Sequence, residues 1–244
     1  MGIDTYWFGP SAWQLFHLIS FRSKNPHAVL LKMKEMLPCK FCRASTTEFV
    51  AKHPLKKEDP AKWLYEIHNM VNNKLRTQCA EDPNISDPGP DPSFEEVKRK
   101  YAEMTPNAVP GRDFLFAITA NYPENPEPED MARHREFLHD LSEVYPFESL
   151  RKVFKQYMSR GPVALETKKT YMKWMYGLLK SLSKTAGSSI LSYRGYVARA
   201  NYYTSGCDRP SYRGKTCRRT KQGHRTKNRD RNQTHRVVLT GLLK

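Results

Sequence analysis

Apolar residues in this chain recur at spacings of three and four, and prolines cut that recurrence into short cylinders. Trp13, Phe16, His17 and Ser20 fall on one helical face. After Pro60, the residues Trp63, Ile67, Val71 and Leu75 repeat every fourth position. The stretch AVLLKMKEML at 28–37 is amphipathic in the same way, and Pro38 ends it. The spacing predicts a first helix opening at Ser11, with Ser11 and Gln14 as a capping box. Further helices are expected over 28–37, from Cys39 towards His53, from Pro60 onwards, and over 94–104, where Ser93 and Glu96 cap. Pro83, Pro88, Pro90 and Pro92 mark an extended loop between the last two. No segment alternates apolar and polar as a half-buried strand would, so the reading is an all-α bundle.

Residues 107–187 repeat the style, with helices expected over 113–120, 128–144, 147–159 and 167–184. Breaks fall at Pro123, Pro146 and Gly161-Pro162. Beyond Gly187 the apolar periodicity stops. The net charge of +16 is concentrated there: 188–244 hold 14 basic and 2 acidic residues, and the preceding body is near neutral. Residues 188–236 are expected to be mostly disordered. No apolar run approaches the ~20 residues of a membrane span. Five cysteines in 244 residues are too few for a disulfide framework. The amino terminus lacks the basic and apolar regions of a secretory signal, so a cytoplasmic location is expected. That makes any paired cysteines more apt for exchange than for bracing.

One pair stands out. Cys39-Lys40-Phe41-Cys42 follows a proline and opens a helix. Unpaired backbone N–H groups and the charges of Lys40 and Arg43 would lower a thiol's pKa there. Taken alone, such a pair suits either disulfide exchange or half of a zinc site. Structural zinc needs four ligands, and no second closely spaced pair occurs, so no metal is expected. On the helix after Pro60, His68 and Asn72 lie four apart and Asn69 and Asn72 three apart, forming a polar ledge beside the apolar stripe. With Trp13 and His17 the ledge could grip a planar, hydrogen-bonding cofactor; an ordinary solvated helix edge reads the same way.

The ordered string Trp13-x-x-Phe16-His17, Pro38-Cys39-x-x-Cys42 and Trp63-x-x-x-x-His68-Asn69-x-Val71-Asn72-x-Lys74-Leu75 resembles the Erv/ALR family of FAD-linked sulfhydryl oxidases. The opening WFGPSAWQLFHLISF and the segment 92–101 look most like members encoded by large DNA viruses, which would put the protein in a host cytoplasm or virion. The resemblance implies a helical bundle holding FAD. It implies that Cys39, the more accessible thiol, exchanges disulfides with dithiol-bearing protein substrates. Cys42 would then lie against the flavin, with dioxygen as electron acceptor and hydrogen peroxide as product. Trp13, His17, His68, Asn69, Val71, Asn72, Lys74 and Leu75 match cofactor-binding positions, and Tyr101 matches an aromatic near the adenine end. Many relatives carry a cysteine where Tyr65 stands here, so Cys79 lacks the partner of a stapling disulfide.

The middle of the chain repeats the pattern without its chemistry. Phe116 stands where His17 would, Arg112 where Trp13 would, and Tyr145-Pro146-Phe147-x-x-Leu150 imitates the Pro-Cys-x-x-Cys. Trp174 opens a copy of the fourth helix, with Leu179, Lys180 and Ser183 replacing His, Asn and Asn. Three units are therefore expected: an active FAD-binding domain over 1–106, a degenerate copy over 107–187, and a basic flexible tail over 188–244. Members of the family often pair as homodimers. Either a homodimer or an intramolecular pairing is expected, the copy in the second case taking the partner's place within one chain.

In the tail, Cys207 and Cys217 are a candidate shuttle disulfide, as the resemblance implies. Residues 209–236 carry eleven Lys or Arg against one Asp, which suits nucleic acid or an acidic surface; solvated disorder alone reads the same. The competing function is a non-enzymatic nucleic-acid-binding or structural helical protein with a vestigial cysteine pair.

Overall fold

The computed structural model describes residues 2–56, 58–82 and 85–205. A two-residue strand, β1 (Gly2–Ile3), leads into α1 (Thr5–Arg22), α2 (His27–Met36), α3 (Lys40–Lys52), α4 (Pro60–Glu81) and α5 (Phe94–Glu103). The second half follows in the same order with α6 (Arg112–Ala120), α7 (Pro128–Val144), α8 (Glu148–Met158), α9 (Lys168–Thr185) and α10 (Tyr193–Tyr203). The chain then enters β2 (Thr204–Ser205), which pairs antiparallel with β1. Among the described residues no helix is long and apolar enough to cross a membrane.

The helical expectation holds, and two boundaries differ from it. The first helix starts at Thr5, not Ser11: Asp4 caps it, its carboxylate accepting the Tyr6 N–H at 3.0 Å. Pro10 therefore lies inside the helix. An interior proline costs about 3 kcal/mol. Burial of Trp7 and Phe8 on the turns before it returns about 1.5–3 kcal/mol each. Ser11 caps a different helix: its Oγ accepts the N–H of Asp113 at 3.1 Å and of Phe114 at 3.3 Å, closing the amino end of α6. The second difference is α10, which falls where disorder was expected. Ser192 caps it by accepting the Gly195 N–H. Tyr193, Tyr196, Val197, Ala200 and Tyr203 are spaced as one helical face, and Tyr196 and Ala200 are buried by the core.

Packing follows a two-fold plan. Within each half the first helix packs on the fourth and the second on the third. Between halves α1 lies on α6 and α2 on α7, each helix meeting its own counterpart, as an isologous interface does. Phe16 and Phe114 meet edge to face there at 5.4 Å between centroids. Lys32 on α2 pairs with Glu136 and Asp140 on α7. One hydrophobic core runs through both halves.

Phe147, the residue before α8, has φ +65°, the one non-glycine with positive φ among the described residues. For a bulky side chain such a backbone costs on the order of 1–3 kcal/mol, and surrounding contacts must hold it.

Candidate redox and cofactor site

Cys39 is the residue before α3, in extended conformation, and its Sγ accepts the Cys42 N–H at 3.2 Å. Hydrogen bonding to the Cys42 side chain holds the Cys39 thiol below its ordinary value. Burial opposes this, while the backbone N–H groups of Cys42 and Phe41 and the charge of Arg43 support it. Both cysteines are free thiols here.

The expected order of accessibility is reversed. Cys39 is 1% exposed and Cys42 is half-buried. The physical reason is the β1–β2 pair: the Ile3 N–H bonds the Pro38 carbonyl at 2.7 Å, laying buried Ile3 beside Cys39. Trp7 stacks on Tyr203 at 5.8 Å and fastens the arrangement from α10.

Four of the expected cofactor residues converge. Trp13 lies flat on His68, with centroids 3.8 Å apart and planes 10° apart. His68 Nδ1 and His17 Nε2 share a hydrogen bond of 3.0 Å. Tyr101 stacks on His17 at 5.0 Å and 20°. Burial pushes His17 well below the ordinary imidazole value, aided by His68 and Lys100. Burial also takes His68 down to about 4, with Asp91 opposing and Lys100 assisting. Both rings are therefore neutral at pH 7. Buried His17 Nδ1 has no hydrogen-bond partner.

The rest of the ledge is held by groups that the sequence pattern did not single out. Asn72 donates to Asp91 at 2.7 Å, and Arg76 pairs with the same carboxylate at 2.6 Å. Lys74 bonds Ser45, which lies one helical turn after Cys42 and so ties α4 to the cysteine-bearing helix. Asn69, Val71 and Leu75 are half-buried along the same helix. Asp91 sits in the proline-marked loop, where no periodicity flags a residue. In the staple's place Tyr65 bonds the Pro92 carbonyl at 2.9 Å and packs edge-on against Phe94 at 5.5 Å, while Cys79 is a half-buried free thiol. Cys207, Cys217 and the basic run lie outside the described residues.

The second half has the scaffold with different contents. Phe116 is fully buried and stacked by Tyr196 at 4.7 Å. Leu179 is fully buried, and the buried Ser183 Oγ has no hydrogen-bond partner. Aromatic and aliphatic side chains thus fill the place that corresponds to the Trp13–His17–His68 cluster.

The first half fits a flat dinucleotide. Planar rings offer stacking, an orphaned buried imidazole nitrogen offers a hydrogen bond, Lys74 offers charge beside the dithiol helix, and Lys100 offers charge beside the two imidazoles. A dithiol that opens a helix packed on the one carrying His68, in an all-helical bundle, defines a flavin-type dithiol redox protein. The chain belongs to the Erv1/Alr family, whose model matches it twice, over residues 10–88 and again over 113–185. The second match accords with a degenerate repeat. One similar protein is the FAD-linked sulfhydryl oxidase of African swine fever virus, isolate Tick/Malawi. It is 34% identical over 114 residues, spanning 42% of this chain and 86% of the relative. The protein of the same description from isolate Warthog/Namibia is 35% identical over 80 residues, 28% of this chain and 67% of the relative. No solved structure matches the chain.

Proposed function

We propose that this chain is an FAD-linked thiol oxidase that makes disulfide bonds in dithiol-bearing proteins. The observation that carries the reading is the Cys39–Cys42 pair opening α3 within the first family match, with α3 packed on α4, the helix that brings His68 to Trp13 and His17. Trp13, His17, His68, Asn69, Val71, Asn72, Lys74, Leu75 and Tyr101 would hold the cofactor.

In the oxidised pair a substrate thiolate attacks the Cys39 sulfur and displaces the Cys42 thiolate. A second substrate thiolate attacks the substrate sulfur of that mixed disulfide and releases Cys39. The lowered Cys39 pKa makes it a good leaving group in this second step. The substrate loses two electrons and two protons, and the cysteine pair gains them. When bound, FAD supplies the acceptor for that electron pair, with dioxygen as the final acceptor and hydrogen peroxide as product. Half-buried Cys42, the more exposed sulfur, is the one offered to the cofactor.

Residues 1–106 form the active unit in this reading and 107–187 a unit that stands in a partner's place. The like-on-like packing of α1 with α6 and α2 with α7 supports that arrangement. Cys207 and Cys217 are the proposed shuttle. Support comes from β2, which ends two residues before Cys207 and pairs with the strand bonded to Pro38. Double Cys207→Ser, Cys217→Ser should slow oxidation of protein thiols and spare small dithiols.

The deciding experiment is dithiol-driven peroxide formation by the purified flavin-bearing protein. Cys42→Ala should abolish turnover and leave flavin bound. Turnover that survives this change, or a protein that takes up no flavin, would overturn the reading.

A further inference from the structure

The second half does more than mimic a partner. At the carboxyl end of α1, Arg22 donates to the carbonyls of Tyr101 at 3.0 and 3.2 Å, Ala102 at 2.7 Å and Met104 at 2.8 Å. These are the unpaired carbonyls that end α5, so one guanidinium fixes where that helix stops and where Tyr101 stands. The other side of the guanidinium is covered by Phe147, with the Arg22 Cζ 4.7 Å from the ring centroid. Phe147 also packs against the small cluster of Leu18, Val97 and Tyr101. Beside it, Ser23 donates to the Val144 carbonyl at 2.7 Å, so α1 is pinned to the α7–α8 corner at two points.

Phe147 is the residue that replaces the first cysteine of the pair in the second copy. It keeps the place before α8 that Cys39 has before α3. It does so with φ +65°, where Cys39 has φ −144°. A redox position has become an aromatic one, and the backbone there turns the ring out of its own half and onto Arg22.

We propose that Phe147, acting through Arg22, is a positioning residue for the Tyr101 wall of the flavin site. The inference rests on the proposed function in one respect, that FAD occupies the Trp13–His17–His68–Tyr101 cluster. Tyr101 stacks on His17, and His17 is bonded to His68 beneath Trp13, so a shift of Tyr101 reaches every aromatic member of the cluster. The second half therefore sets cofactor affinity in the first, although its own copy of the site is filled by side chains.

The test is FAD binding to the full chain stripped of flavin, followed by quenching of flavin fluorescence, with the thermal midpoint of the flavin-free protein measured alongside. Phe147→Gly removes the ring and accepts the positive φ, so relieved backbone strain offsets part of the lost packing and the flavin-free protein should melt close to the wild-type temperature. Its affinity for FAD should fall about tenfold, the visible band of bound flavin should shift, and Phe147→Tyr should restore both. Arg22→Met should weaken binding to a similar degree, and adding Phe147→Gly to it should cost little more. If Phe147→Gly binds FAD as tightly as wild type, the inference fails while the proposed function stands. If the wild-type chain binds no FAD, both fail. If Phe147→Gly weakens binding only in step with a lower melting temperature, Phe147 is structural and the inference fails.

Discussion

Gly111 lies so close to Leu15 that a Cβ built on it would sit 2.5 Å from Leu15 Cδ2 and 3.0 Å from Leu15 Cβ. This is where α6 of the second half leans on α1 of the first, directly below the Ser11 hydroxyl that caps α6. The backbone of Gly111 is left-handed, with φ +74°. The junction of the two halves therefore depends on a missing methyl group.

Gly111→Ala should destabilise the protein by about 2–4 kcal/mol, combining a strained backbone with overpacking against Leu15. Gly187 is the control: it has φ +62° with nothing within 4 Å, so Gly187→Ala carries only the backbone cost, about 1 kcal/mol. Urea midpoints of the two variants measure the difference. Equal losses would mean that the close approach to Leu15 contributes nothing.

The cysteine pair gives the second prediction. Hydrogen bonding from the Cys42 side chain is the largest influence lowering the Cys39 thiol. In the reduced protein, Cys42→Ala should move the pH midpoint for alkylation of Cys39 upward, towards an ordinary thiol. Peptide mapping after iodoacetamide labelling at a series of pH values reads the midpoint. An unchanged midpoint would assign the effect to the helix terminus and Arg43 instead.

Much of this site is readable from residue spacing because helices impose it. The Trp63 to Leu75 stripe and the His68–Asn72 ledge share one cylinder, and the cysteines open another, so their order along the chain survives into space. What is lost is whatever depends on a distant partner. Asp91 receives Asn72 and Arg76 from an irregular loop. Arg22 stays exposed, and only the fold brings the carbonyls that end α5 to its guanidinium. Helix α10 hides in a basic stretch, because its tyrosines pay off only once Phe116 and Trp7 are there to meet them. Ser11 looks like a cap for its own helix and serves another. The burial of Cys39 needs both ends of the described chain to meet, which no local pattern contains.

Acid should weaken the fold before it protonates the cofactor site. His68 sits at about 4 and His17 well below the ordinary value, in both cases chiefly through burial. An unfolded imidazole titrates near 6.5. Between those values the unfolded state binds more protons, so stability rises with pH and is lost as pH falls from about 6.5 towards 4. The groups facing this pair are Asp91, Lys100 and Tyr101. His134 in the second half, pushed to about 3 by burial, weakens global stability in the same direction. Flavin retention therefore has to be followed separately from unfolding. Bound FAD should be kept while stability falls between pH 6.5 and 4 and released only as pH drops through about 4, where His68 gains its proton in the folded protein; loss at higher pH with the far-ultraviolet signal intact would argue that a group other than these imidazoles governs retention.

The cover over Cys39 yields the last prediction. Cys39 is 1% exposed because the Ile3 N–H bonds the Pro38 carbonyl and β1 is held in turn by β2. A reagent or substrate thiol reaching that sulfur must first displace this strand. Ile3→Pro deletes the N–H and one hydrogen bond, worth about 0.5–1.5 kcal/mol net. If opening of the strand limits access, that loss should speed labelling of Cys39 by N-ethylmaleimide about 2- to 10-fold. Ile3 is itself a buried core residue, so the melting temperature should fall modestly, while Phe8, Leu15 and Phe16 keep α1 packed. Mass spectrometry of the labelled peptides separates Cys39 from Cys42 and Cys79. An unchanged Cys39 rate with faster Cys42 labelling would mean that β1 guards the cofactor side of the pair instead.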